Sequence, residues 1–288
     1  MLEFSDEASQ LASDYAKGVE AEVRSLAVYP KAEYVKMLAF DIENDVKFFA
    51  LKIATKRGLQ RVEAAEIREV FKKFGKPREF VKSHIGKAQN YMDSQRNTLG
   101  NLETMKEKLQ KLETPIVLDA GCRWGRASKR LKDFCHDDLE RVGVDLDKLS
   151  LLYGKIMDRN AVFVRSDIQA LPFKNQVFDL VLCSGVIHEV KDAKGRHKAI
   201  EEVSQALKPE GSFYLVDAFA KLQIVSAFTF LLQHVSHEIE WIPKKGAIEG
   251  MLRKSGLRVV SVQGSGSSLG GAIALYTIVA SKASREVS

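Results

Sequence analysis

From Thr114 onward, short β-rich runs alternate with helical segments, and few folds accept that rhythm. The runs are PIVLDAG, RVGVDL, AVFVRSD, FDLVLCSG, SFYLVDAF, LRVVSVQG and AIALYTIVASK. Strands separated by helices pair parallel, because a parallel connection needs a long crossover, and repeated βαβ units wind into a doubly wound sheet. The last two runs are joined by GSGSSLGG with no helix between them, so they should pair antiparallel. The expected fold is α/β, with seven strands that are mostly parallel and an antiparallel last strand.

Up to Glu113 the rhythm is different. EASQLASDYAKGVEAEVRSLA and KAEYVKMLAFDIENDVKFFALKIATKR space their apolar residues by three and four, as amphipathic helices do. Gly58 ends the second, VEAAEIREVFKKF begins a third, and PREFVKSHIGKAQNYMDSQRN and NLETMKEKLQKLE read as two more. The chain of 288 residues therefore divides into an all-α domain over 1–113 and an α/β domain over 114–288. Cys122, Cys135 and Cys183 are odd in number and form no C-x-x-C pair, which argues against a disulfide framework and a zinc site. The N-terminus lacks the order of a signal peptide, and the longest apolar run, Ile224–Leu232, falls short of the roughly 20 residues that cross a bilayer. A cytoplasmic protein without a transmembrane segment is expected.

PIVLDAGCRWGRASKRLKDF reads as strand, tight turn and helix, the unit whose loop amides face a ligand. A dinucleotide fingerprint would need G-x-G-x-x-G, but Arg123 and Arg126 stand where the second and third glycines belong. What remains is acidic-x-G-x-x-x-G, carried by Asp119, Gly121 and Gly125. Asp145 ends the second strand 24 residues after Gly121, placed to accept both ribose hydroxyls of a nucleoside. Asp167 follows the third strand, and D-x-x-x-L-P-F…F-D-L-V leads into the fourth. ALKPEGSFYLVD supplies a helix end, a proline-glycine turn and a fifth strand. Taken singly, Asp145 and Asp167 could equally cap the helices after them.

In this order and spacing the landmarks resemble the class I S-adenosylmethionine-dependent methyltransferases, which are Rossmann-like. The resemblance implies S-adenosyl-L-methionine as cofactor, held by Asp119, Ala120, Gly121, Cys122, Arg123, Gly125, Asp145, Leu146, Ser166, Asp167, Ile168, Cys183 and Ser184. The family's first motif usually carries one more glycine where Arg123 stands. A side chain there narrows the approach, yet a guanidinium beside the methionine carboxylate would form a charge-assisted pair worth about 1.5–3 kcal/mol when desolvated.

Methyl transfer from a sulfonium is a direct displacement, and a general base is needed only for a phenol, enol or activated carbon. His188 in SGVIHEV follows the fourth strand and is the candidate base; an ordinary polar loop residue reads the same. CSGVIH has no N/D-P-P-Y motif, which lowers the case for methylating exocyclic amino groups of bases. FAKLQIVSAFTFLLQHVSHEIEWIP looks like the insertion of ubiquinone/menaquinone-biosynthesis C-methyltransferases, an oily lid suited to a small apolar acceptor. His234, His237 and Glu238 within it have metal-like spacing but read better as a polar helix face, so no metal is expected.

Charge in the helical half is uneven. Residues 1–50 carry ten acidic against five basic residues, whereas 51–90 carry eleven basic against four acidic. LKIATKRGLQRVEAAEIREVFKKF resembles the second-to-third-helix junction of a histone fold, which would imply a homodimer and let residues 51–90 approach nucleic acid. The plainer expectation is a helical cap with a solvated basic face. Two rival readings stand beside a small-molecule methyltransferase: one that methylates RNA or protein held by the basic helices, and a non-catalytic binding module with a degenerate loop. Loss of the guanidinium in Arg123→Ala should weaken S-adenosylmethionine binding in calorimetry; unchanged or tighter binding would reject the pairing.

Overall fold

The computed structural model describes residues 3–25, 32–81, 104–136, 138–220, 242–268 and 273–283. The chain separates into two compact units, Met1–Gln95 and Arg96–Ser288.

The first unit is helical. Helices α1 (Asp6–Ser25), α2 (Ala32–Lys56), α3 (Ala64–Phe74) and α4 (Pro77–Phe80) are joined by a short parallel pair of β1 (Glu3–Phe4) and β2 (Arg61–Val62). Ala8, Ala12, Tyr15, Ala16, Val19 and Val23 fall on the buried face of α1, which accounts for the three-and-four spacing of its sequence. Tyr15 stacks on Phe71 with centroids 4.6 Å apart, and its hydroxyl donates to the Gly75 carbonyl at 3.0 Å. Burial, with Glu79 nearby, pushes that phenol up to about 12. Arg57, just past α2, pairs with Glu66 and Glu69 of α3 across the intervening loop.

The second unit is built on one sheet. Its strands are β3 (Ile116–Ala120), β4 (Glu140–Asp145), β5 (Val162–Arg165), β6 (Phe178–Ser184), β7 (Leu207–Ala220), β8 (Leu257–Ser268) and β9 (Ile273–Lys282), in the order β5-β4-β3-β6-β7-β9-β8. All pairs are parallel except those of β9, which runs antiparallel to both β7 and β8. This is the doubly wound seven-stranded sheet that the alternating runs imply, with the antiparallel hairpin at its end. Strand order reverses between β3 and β6, the switch point where a crevice opens at the carboxyl ends.

Alternation along the strands sorts side chains to two faces. Leu118 and Ala120, Val181 and Cys183, Phe213 and Leu215, and Ile278 and Ala280 point to one face. There they meet Ala199, Ile200 and Val203 of α7 (Ala193–Ala206) and Ile248 and Leu252 of α8 (Lys245–Lys254). The opposite face carries α5 (Arg126–Phe134) and α6 (Lys148–Met157), where Leu151, Cys122 and Phe163 pack together.

The helical segment at 104–109, which its spacing groups with the helical half, lies in the second unit. Met105 and Leu109 are buried, and the Lys108 ammonium donates to Ser212 Oγ and to the Glu210 carbonyl on β7. Among the described residues no helix is long and apolar enough to cross a membrane. The lid segment 221–241, with His234, His237 and Glu238, lies outside the described residues, as does 82–90 of the basic stretch.

Arg141 on β4 reaches under the sheet to form a two-pronged ion pair with Asp158, both nearly out of water. Burial alone would push the Asp158 carboxyl up, but the Arg141 bonds outweigh it and hold it below the usual carboxylate range. Arg141→Ala strands that carboxylate and should destabilise the second unit by about 3–5 kcal/mol in denaturant unfolding.

Candidate functional site

The loop between β3 and α5 is fixed from three directions. The Gly121 and Cys122 amides both donate to the Val144 carbonyl at 2.9 Å, which ties the turn to the neighbouring strand. Asp119 is 2% exposed and lies on the α5 side of the sheet, where its carboxylate accepts the Ser128 amide at 3.0 Å in the first turn of α5. Asp145 reaches across from β4 and accepts the Arg123 amide at 2.7 Å through one oxygen and the Asp147 amide at 2.9 Å through the other.

Glycine at 121 is required by the protein itself. Its φ is +77°, and a Cβ there would lie 2.2 Å from Cγ2 of Val186, in the loop after β6. The two loops flanking the switch point therefore touch at this position. Arg123 takes φ 50°, the left-handed region that glycine occupies more readily. The departure from the glycine pattern thus falls at a site whose backbone still adopts a glycine-like conformation, stapled by Asp145.

A cavity of about 580 Å³ opens at these carboxyl ends. Gly121, Arg123, Asp145, Leu146, Ser166, Asp167, Ile168 and Ser184, all marked out by sequence, line it together. Leu146 is 60% exposed, an apolar surface held at the rim. Asp167 accepts the Gln169 amide at 2.9 Å, and Gln169 also lines the wall. The capping role open to Asp145 falls instead to Asp147, whose carboxylate accepts from the Leu149 amide and the Ser150 hydroxyl at the start of α6.

The other sequence candidates lie behind the cavity wall. Ala120 and Cys183 point into the core against α7, and Cys183 is fully buried. Cys122 packs on the opposite face, where Gly143 leaves room for its sulfur: a Cβ on Gly143 would come within 2.7 Å. Burial drives both thiols well above their ordinary range, so neither is a nucleophile at neutral pH. Gly125, at φ 83°, starts α5 and faces Phe163.

His188 stands beside the cavity. Its ring Nδ1 is 2.5 Å from Oδ1 of Asp217 on β7, and its backbone amide donates to Oδ2 at 3.2 Å. Asp217 is absent from the residues marked by sequence, as are Val186, Glu189, Val190, Lys191 and Asp192, which line the wall after β6. One signal was there to find: in SFYLVDAFA the inward positions are Phe213, Leu215, Asp217 and Phe219, so a carboxylate interrupts an apolar row.

Residues 118–215 match the family model of a methyltransferase domain. The chain is 36% identical over 100 residues to the mitochondrial arginine-hydroxylase NDUFAF5 of Danio rerio, covering 34% of this chain and 29% of that protein. An uncharacterized protein of Methanocaldococcus jannaschii is 27% identical over 167 residues, 57% of this chain and 67% of its own length. The geranyl diphosphate C-methyltransferase of Streptomyces coelicolor A3(2), solved with S-adenosyl-L-homocysteine, superposes with a TM-score of 0.52 at 13% identity, over 65% of this chain and 80% of that one. Identity so low speaks for the fold alone. The chain spans less than a third of the zebrafish relative's length.

Desolvation, strengthened by the nearby Asp145 charge, outweighs the Ser128 bonds and pushes the Asp119 carboxyl up to about 6. An acid raised on folding favours the native state only while protonated, so stability should fall as pH rises from about 4 to 6. Asp119→Asn, which keeps an acceptor for Ser128, should flatten that slope, an effect on the order of 2–3 kcal/mol read from urea midpoints across the window.

Proposed function

We propose that the second unit binds S-adenosylmethionine in the 580 Å³ cavity and transfers its methyl group to a small-molecule acceptor. The observation that carries this reading is the convergence of Gly121, Asp145 and Asp167, from three different strand ends, on one cavity. The volume lies in the range of about 300–1,000 Å³ common for ligand pockets. When bound, S-adenosylmethionine supplies an electrophilic methyl on a sulfonium.

The chain's own task is placement. Asp145 offers ribose hydroxyls a carboxylate already oriented by the Arg123 and Asp147 amides, so little freedom remains to be lost on binding. Asp167, braced by Gln169, presents a second acceptor on the same wall, and Leu146 and Ile168 give it apolar faces for a flat ring. Positioning of this kind, with nucleophile, carbon and sulfur in line, can lower a displacement barrier by about 7–11 kcal/mol. Val186 and Val190 add apolar lining for a small acceptor.

Calorimetry should show S-adenosylmethionine binding, and Asp145→Ala should weaken it about 10- to 100-fold, the loss of a charged hydrogen-bond acceptor. In cell extract given the methyl-labelled cofactor, label should enter the small-molecule fraction. Label in RNA or protein would move the acceptor to a macromolecule, and no binding at millimolar cofactor would overturn the reading.

A further inference from the structure

A second cavity, of about 640 Å³, is lined by the helix at 104–109 and by β7, β9 and β8, and shares no residue with the first. Strand parity and register build its floor. Ser212 and Tyr214 point away from the face that α7 and α8 cover, because Phe213 and Leu215 point toward it. Ser212 pairs with Ser281, and Ser281 with Arg258, so one rung across the three strands is polar. The next rung on that face joins Tyr214 to Val279. Beside it stands Val260, which the β8 register skips and which is 59% exposed. The floor is therefore polar on one side and apolar on the other.

Its deepest polar side chains are all donors. Ser212 and Tyr214 are 4% and 2% exposed. The half-buried Lys108 ammonium has three hydrogens and directs two, to the Glu210 carbonyl and to Ser212 Oγ. Ser212 thereby accepts, and among the described residues neither its own hydroxyl hydrogen nor that of Tyr214 meets an acceptor. Burial pushes the Tyr214 phenol up to about 12, so it keeps its proton at neutral pH. Burial also pulls the Lys108 ammonium down, against the Glu210 and Asp179 charges and with the Lys111 charge. Lys111, Arg258, Glu107 and Glu210 stand on the exposed rim, where solvent screens them. The Lys282 ammonium is turned to the Ser204 and Leu207 carbonyls at the end of α7.

We infer that this groove binds a small amphipathic anion, with its carboxylate held by Lys108, Ser212 and Tyr214 and its apolar body laid on Val279 and Val260. Buried donors without acceptors cost free energy, and the two oxygens of one carboxylate satisfy several of them together. A neutral ligand would leave the half-buried ammonium uncompensated. The order of the rungs sets which end of the ligand lies where: the head over Ser212, the body over the valines. The volume falls in the range of about 300–1,000 Å³ that encloses small molecules, which assigns the groove to a soluble ligand rather than a membrane surface. Nothing in this inference depends on methyl transfer, because the groove stands apart from the cavity at the strand ends.

Decanoate, titrated into the full-length protein by calorimetry below its micelle concentration, should bind. Decanol has the same tail without the charge, and acetate the charge without the tail; each should bind about 10-fold more weakly or not at all. Tyr214→Phe removes one hydroxyl from a ring that still packs, and should weaken decanoate about 10-fold; Lys108→Met should weaken it about 100-fold. In spectra of ring-labelled tyrosines, the resonance missing from Tyr214→Phe should be one that shifts as decanoate is added. Asp145→Ala, in the other cavity, should leave the titration unchanged. Decanoate that fails to bind, binds no better than decanol, or binds Tyr214→Phe as tightly as the unaltered protein overturns the inference. Pelleting with phosphatidylglycerol vesicles while decanoate is ignored would overturn it as well, in favour of a membrane surface.

Discussion

Asp145 carries its carboxylate from the end of one strand to the backbone of the loop after the next, and the shape of the cavity depends on that reach. The 2.7 Å bond to the Arg123 amide keeps the turn closed although the residue there has a side chain. The second oxygen, on the Asp147 amide, sets the start of α6. A loop that lost this bond would be free to relax away from its left-handed conformation, since a non-glycine residue gains roughly 1–2 kcal/mol by leaving it. The same carboxylate thus shapes the floor and offers itself to a ligand.

Around that bond the sheet divides its labour by parity. Even-numbered residues of β3 and Val181, Cys183, Phe213 and Leu215 of β6 and β7 fill the core beneath α7 and α8, while on the other face Asp119 meets α5 and Cys122 packs with Leu151 of α6. Asp145 and Ser184 stand where their strands stop. Asp217 breaks the pattern one step early, inside the packed face, and His188 and Arg196 gather around it. Burial pulls the Arg196 guanidinium down to about 10, with Asp217 and Asp192 opposing the shift, so it stays charged at neutral pH.

The seven strands were legible because parallel strands buried on both faces read as unbroken apolar runs, and their mostly parallel pairing followed from the helices between them. Gly121, Asp145 and Asp167 were legible because strand ends are fixed by where those runs stop. The family resemblance put Cys183 in the site beside Ser184, yet a period of two sends neighbours to opposite sides, and Cys183 falls on the core side. Val186, Glu189 and Asp192 gave no signal because their loop has no periodicity; the contact of Val186 with Gly121 brings that loop to the cavity. Asp217 was visible in principle, as a charge in an apolar row, but its partner lies 29 residues back in sequence.

The short helix at 104–109 shows how an amphipathic pattern can be read correctly while its neighbour stays hidden. Its apolar face says that something covers it, and nothing in the local sequence says what. Met105 and Leu109 are buried within the sheet unit, and Lys108 reaches the edge of β7 beside the antiparallel hairpin. A shortened chain beginning at the first strand would therefore lose a piece of its own lining. The second unit, prepared alone, should be started far enough upstream to keep that helix and the Lys108 bonds that fasten it to β7.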